Sequence, residues 1–347
     1  MKAGYQTTLR DRVTVAGVGV HTAAPAQVTL HPADVDSGVV FLRTGLPGGR
    51  ERLLEAKRAN VTHTALCTML GDDSGASIGT VEHLLAAISG LQIDNVLIEI
   101  DGPETPIMDG SAAEFVEAVD QAGAVQQARP RRHLKIQKPV RVESAGGFAE
   151  FLPASRGFRL DVEIEFDSPA IGRQRRVFDL DPPTFRREIA CARTFGFVGE
   201  VQKLWRAGYA LGSSLDNSVA IDGDVILNPE GLRYADEFVR HKALDAIGDL
   251  SLAGAPIIGV YRTYRAGHKL NALALDALLE RRWAYEILEA PSRAAISAHG
   301  AGTHIPAAAA AFAADYPCPR LASGRIPAPL PARSPIVLCP HVRGSPE

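Results

Sequence analysis

Three short stretches of the chain combine side chains that could activate water and hold a cation. Glu82 and His83 open an apolar run, Val81 to Ser89, that reads as a helix with Thr80 as its cap. Exposed N–H groups and the helix dipole favour negative charge at such an end, which suits a carboxylate base. The same pair on a solvated helix end would do no chemistry. The residue four beyond His83 is Ala87, so this is not the HExxH pattern of zinc peptidases.

The run from Arg240 to Asp249 is more specific. At about 3.6 residues per turn, His241, Asp245 and Asp249 stack on one stripe of a helix, with Leu244 and Ile247 on neighbouring stripes. Imidazole nitrogen and carboxylate oxygen both suit zinc, but His241 and Asp245 make only two ligands and need a third. An amphipathic surface helix would show the same pattern. The stretch that follows, Gly254 to Tyr264, is apolar and strand-like, so the helix is expected inside the fold, where its polar stripe needs partners. His268, between Gly267 and Lys269, is expected in a loop just after that strand. A hydrolase needs a base to take a proton from water and an acid to protonate the leaving amine, and Glu82 and His268 can fill these roles.

The elements that must position these residues come in a repeated order. Over residues 1–125, alternating apolar positions at Arg12 to Val20 and Gln27 to Leu30 read as strands. A helix from Val81 closed by Gly90 follows, then a buried strand from Asn95 to Ile100. A further helix has Ser111 as its cap and Phe115, Val116 and Val119 on one face. Segment 126–132 is charged, contains proline and reads as a linker. Over 133–292, strands at Leu134 to Val142, Ala149 to Leu152 and Leu160 to Phe166 precede helices at Pro183 to Ala192 and Asp236 to Leu252. Strands before helices in each half predict an α+β fold of two domains rather than βαβ repetition. Alanine and proline dominate 293–347, where a loosely ordered tail is expected.

The bulk properties narrow the classes. With 347 residues, 46% hydrophobic and 22% charged, the chain is of ordinary globular composition and long enough for two cores. A net charge of -3 gives no basic footprint, which removes nucleic acid as a partner. No run approaches the roughly 18 apolar residues of a membrane span, and the first residues lack a secretory pattern, so a cytoplasmic protein is expected. Four cysteines, Cys67, Cys191, Cys318 and Cys339, form no CxxC pair. Neither a cysteine zinc site nor a disulfide framework is expected, which leaves His and Asp as metal ligands.

Over about residues 4 to 290 the chain resembles the bacterial UDP-3-O-acyl-N-acetylglucosamine deacetylases. The resemblance is carried by Gly17-Val18-Gly19-Val20-His21, Leu66-Cys67-Thr68, Thr80-Val81-Glu82-His83-Leu84, Ile93-Asp94-Asn95 and Pro106-Ile107-Met108-Asp109-Gly110-Ser111-Ala112. It continues through Ala192-Arg193-Thr194-Phe195-Gly196-Phe197, Asp236 to Lys242, Leu244 to Leu250, and Gly267-His268. It implies a zinc ion on His83, His241 and Asp245, with Fe2+ as an alternative occupant, and Glu82 as the base. Thr194 would support the oxyanion, His268 would be the protonated acid oriented by Asp249, and Lys242 would meet the anionic part of the substrate. Phe195 would pack on the sugar or acyl stem, and His21 would lie near the site. An insert over about 197–220, with Val201, Leu204, Trp205, Ala210, Leu211 and Gly212, would form a passage for the 3-O-acyl chain. The fold implied is two similar sheet-and-helix domains with their helices face to face. The protein is expected to act as a monomer on a small acylated UDP-sugar in lipid A biosynthesis.

The chain departs from the family at His21-Thr22-Ala23-Ala24, where glycine is usual after the histidine, and at Gly146-Gly147, where some members carry a lysine. Two other readings share the same residues: a zinc amidase for a different acetylated sugar, and a non-catalytic binder of nucleotide sugars. Turnover and the passage separate them.

Overall fold

Alternation of apolar and polar residues builds the first sheet. In strand Pro25–Pro32 the side chains of Ala26, Val28 and Leu30 are buried while Pro25, Gln27 and Pro32 are exposed. The strand lies between Val13–Val18 and Val96–Ile100, and the sheet continues through Val39–Leu46 to Arg50–Glu55. Val39–Leu46 runs parallel to Val96–Ile100, and the other pairings are antiparallel. This computed structural model describes residues 4–289 and Cys318. Two helices complete the unit, α1 (Glu82–Gly90) and α2 (Ala113–Ala122), which pack on each other.

The second unit has a sheet in the order Val140–Ser144, Gly147–Leu152, Ile257–Tyr264, Arg132–Ile136, Tyr285–Glu289. Phe158–Glu165 lies parallel to Ile257–Tyr264 and pairs with Arg173–Leu180. Its helices begin with the short α3 (Pro182–Thr184), capped by the Asp181 carboxylate accepting from Thr184 N at 2.7 Å, and a π-helical turn, Phe185–Ile189. After α4 (Val198–Arg206) come α5 (Glu237–Ser251) and α6 (His268–Glu280). α5 and α6 are backed by strands of their own sheet, and α5 packs on α1. The architecture is the expected α+β arrangement, with helices of the two units face to face.

Neither α1 nor α5 is a one-sided amphipathic helix; each is buried over nearly its whole length. A helix covered on all sides must pack closely, and glycine allows it here. A Cβ on Gly248 in α5 would lie 2.0 Å from the carbonyl oxygen of Glu82 in α1. The helices therefore cross at the start of α1, beside its candidate base.

Several local expectations are corrected. Thr80 does not cap α1: it adopts φ +55°, its hydroxyl donates to Glu104 Oε1 at 2.7 Å, and Val81 takes the cap position. Gly90 is the last residue of α1 rather than its cap, and a Cβ there would meet the Phe185 ring at 2.4 Å. Ser111 lies one residue before the cap position of α2, though its hydroxyl does accept from Ala113 N at 3.1 Å. Most of segment 126–132, expected to lack periodic structure, belongs to strand Ala124–Pro130, antiparallel to Tyr5–Leu9. The stretch from Leu134 to Val142 divides between two strands. His268 is the first residue of α6 and not part of a loop.

The disulfide part of the cysteine expectation also fails, because Cys191 and Cys318 form a disulfide across 127 residues of sequence. Such a pairing depends on Cα proximity, which the separation in sequence does not reveal. Apart from Cys318, the expected tail over 293–347 lies outside the described residues. Among the described residues no helix is long and apolar enough to cross a membrane.

Candidate active site

The crossing of α1 and α5 brings residues from both halves of the chain into one buried cluster. His83 comes from the first turn of α1, and His241 and Asp245 from successive turns of α5. Each offers one ligand atom, and these atoms lie within 4.8 Å of one another. His83 Nε2 is 3.6 Å from Asp245 Oδ1, and His241 Nε2 is 3.3 Å from the same oxygen. Ligands on a tetrahedral zinc with bonds of about 2.0–2.1 Å stand about 3.3 Å apart, so the spacing fits that ion.

The polar bookkeeping supports the same conclusion. Asp245 Oδ1 and His83 Nδ1 are buried and have no hydrogen-bond partner. An orphaned carboxylate oxygen facing two imidazoles is costly unless a cation satisfies it. His241 is in a state suited to a metal ligand. Its Nδ1 faces the Ala192 carbonyl at 3.0 Å, which leaves Nε2 free, and burial pushes its pKa down to about 3, so the ring is neutral. Burial alone would raise the Asp245 carboxyl, but the charged and hydrogen-bonding groups around it, with Lys242 at 2.6 Å, hold it well below its usual range.

On the other side of the cluster stands a carboxylate–imidazole–carboxylate array. His268 Nδ1 is 2.9 Å from Asp249 Oδ2, and its Nε2 is 3.5 Å from Glu82 Oε1. Burial opposes the charged imidazole, but Asp249 and Glu82 overcome it and raise His268 to about 10. Glu82 is itself raised by burial, with His268 and His83 offsetting part of the effect. The array thus contains a basic carboxylate and a protonated imidazole within reach of each other. Thr68 N donates to Glu82 Oε2 at 3.0 Å and fixes the carboxylate plane.

The remaining expected residues surround this centre. Lys242 Nζ lies 2.6 Å from Asp245 Oδ2 and 5.4 Å from the centroid of the Phe195 ring, so it is engaged with the candidate ligand carboxylate rather than free. Phe195 stands edge-on to His241 with centroids 6.2 Å apart. Thr194 is held by the backbone, its N–H donating to Gly110 and its carbonyl accepting from Val219, both at 2.8 Å. Arg193, buried against Glu237 with Nε at 2.9 Å from Oε1, anchors that segment to the start of α5. In the insert, Leu204 is half-buried and Ala210 is buried. Gly212 packs on the first unit, where a Cβ would meet the Gly19 carbonyl at 2.3 Å. His21 stacks edge-on against Tyr209 at 6.2 Å, and its buried Nδ1 has no partner.

Sequence reasoning passed over Thr68, Gly248, Tyr261 and Asn271. Gly248 had a signal: a glycine inside a helix costs about 1 kcal/mol relative to alanine, so its presence asks for a packing reason. Thr68 lies in the Leu66-Cys67-Thr68 motif but was given no role, and Asn271 carries no pattern of its own; both become functional candidates only through the groups they face.

Comparison with known proteins shows the family. Residues 6–280 match the family model described as UDP-3-O-acyl N-acetylglycosamine deacetylase. UDP-3-O-acyl-N-acetylglucosamine deacetylases of Brucella ovis and Brucella melitensis biotype 2 are each 52% identical over 287 residues, covering 82% of this chain and 99% of the relative. The chain therefore belongs to the UDP-3-O-acyl-N-acetylglucosamine deacetylase family.

Proposed function

We propose that this deacetylase hydrolyses the N-acetyl group of a UDP-3-O-(3-hydroxyacyl)-N-acetylglucosamine, a step of lipid A biosynthesis, with Glu82 as base and His268 as acid. The observation that carries the reading is the meeting of the two helices. A His-His-Asp triad with an orphaned carboxylate oxygen lies beside a basic carboxylate and a protonated imidazole.

His83, His241 and Asp245 would hold the ion, and their nitrogen and oxygen donors fit Zn2+ while admitting Fe2+. A bound zinc ion polarises a carbonyl and lowers the pKa of coordinated water from about 15.7 towards about 7. Glu82 takes the proton from the attacking water as its oxygen bonds to the acetamide carbon. The Thr194 hydroxyl supports the negative charge that forms on the carbonyl oxygen. As the C–N bond breaks, His268 gives its proton to the glucosamine nitrogen, and acetate and the free amine leave. Asp249 keeps the imidazole oriented throughout.

Lys242 neutralises Asp245 and, with Phe195, forms the wall against which the sugar lies. Leu204, Ala210 and Gly212 border the acyl passage; because Gly212 also seats the turn at Gly19, Leu204 is the cleaner position for testing that passage. The protein acts as a monomer in the cytoplasm. A Cys191–Cys318 bond found intact by non-reducing peptide mapping of protein from cells would argue against that reducing compartment.

The test is acetate release from UDP-3-O-(3-hydroxyacyl)-N-acetylglucosamine by purified protein, with a chelator control and a Glu82→Ala variant. The expected result is metal-dependent release that falls at least about a hundredfold in the variant, with the zinc content retained. No release from folded, zinc-loaded protein would overturn the assignment.

A further inference from the structure

Asp249 orients the His268 acid, and something must orient Asp249. A carboxylate on an sp3–sp2 torsion has a broad rotational well, so burial alone does not fix its plane. Three donors reach it: the Thr68 hydroxyl at 2.6 Å on Oδ1, and the Asn271 amide at 2.7 Å and His268 Nδ1 at 2.9 Å on Oδ2. Thr68 and Asn271 are 2% and 3% exposed, so water does not substitute for them.

The chain of contacts continues outward. The Tyr261 hydroxyl donates to Asn271 Oδ1 at 2.8 Å, and Tyr261 is fully buried on strand Ile257–Tyr264. That bond decides which end of the Asn271 amide faces Asp249: with the carbonyl oxygen engaged by tyrosine, the NH2 group points to the carboxylate. Thr68 has a second part to play. Its backbone N–H donates to Glu82 Oε2 at 3.0 Å while its side chain holds Asp249, so one residue from the first unit ties the base to the orienter of the acid.

We propose that Thr68 and Asn271 are positioning residues that clamp the two oxygens of Asp249, with Tyr261 fixing Asn271, so that His268 faces Glu82 in a single orientation. The clamp draws one member from the first unit, one from α6 and one from the strand before it. It forms only when the two halves are docked, and it links docking to the alignment of acid and base. The inference rests on the reading of His268 as the acid.

The variants are Thr68→Val, which keeps the shape and removes the hydroxyl, Thr68→Ser, which restores the hydroxyl, Asn271→Leu and Tyr261→Phe. Zinc content, kcat, KM and the downfield Nδ1–H proton signal of His268 are measured for each zinc-loaded protein. In Thr68→Val and Asn271→Leu, kcat should fall roughly tenfold or more, the range for residues that hold a catalytic group in place, with KM and zinc content unchanged. The Nδ1–H signal should broaden or shift in both. Thr68→Ser should recover kcat to within about threefold, since its hydroxyl offers the same donor.

Wild-type kcat and an unaltered proton signal in Thr68→Val and Asn271→Leu would overturn the proposal, as would equal losses in the serine and valine variants. Should either apolar variant fail to fold, Tyr261→Phe decides: it keeps the ring in place, and an unchanged kcat and proton signal there would also overturn it. An inactive wild-type enzyme would instead remove the proposed reaction.

Discussion

The helix pair that carries the candidate ligands and the insert that follows Phe197 are built in opposite ways. α1 and α5 are buried along nearly their whole length and touch backbone to backbone at Gly248. α4, in the insert, has no buried residue, and Tyr209 and Leu211 just beyond it are half exposed. Reacting groups need placement to fractions of an ångström, which dense packing supplies. A surface for a flexible acyl chain, the role proposed for the insert, needs exposed apolar area, and a helix with no buried residue leaves such area open. On the proposed reading, chemistry and chain selection are divided between a densely packed helix pair and an exposed helix.

The comparison breaks most severely at the helix crossing. Gly248→Val would drive the added carbons into the Glu82 carbonyl, so the helices must separate. Overpacking of this kind costs about 1–3 kcal/mol, and a misplacement of about 1 Å can lower the rate about a hundredfold. Denaturant melts and acetate release should both show the loss. A variant of wild-type rate would mean that the crossing is not what aligns the base.

A smaller effect is expected from pH. His268 is raised from 6.5 to about 10 in the folded chain, so it binds its proton more tightly there than when unfolded. Its contribution to stability is complete below about 6.5 and is lost as pH rises through about 10. Denaturant midpoints of the metal-free protein should fall across that window, and fall less in His268→Gln. Identical pH slopes for the two proteins would contradict the charged array.

The smallest change belongs to the insert. Leu204→Ala removes a half-buried side chain from a helix with no buried residue, so stability should change by less than about 1 kcal/mol. Its KM for long-chain substrate should rise several-fold while kcat holds, the pattern of lost uniform binding. A large drop in kcat would erase the distinction between the two regions.

Much of the site was legible because helical periodicity is local. His241, Asp245 and Asp249 share a stripe wherever α5 lies, and the structure keeps them on it. Strand alternation was equally readable in Pro25–Pro32. Helix ends were less so: Thr80 was drawn into a bond with Glu104, a partner remote in sequence, and lost its capping role. His268 looked like a loop residue because Gly267 precedes it, yet it begins α6.

The sequence alone determined the residue types, the stripe on α5, the strand-then-helix order and, through resemblance over most of its length, the family. Tertiary structure decided which half-sites meet. It placed Glu82 and His83 against α5 through the missing side chain of Gly248, joined Cys191 to Cys318, and closed Thr68, Asn271 and Tyr261 around Asp249. Those contacts join residues far apart in the chain. Periodicity records only what lies within a few turns, whereas the charge on His268 and the orphaned oxygen of Asp245 arise from groups that packing alone brings together.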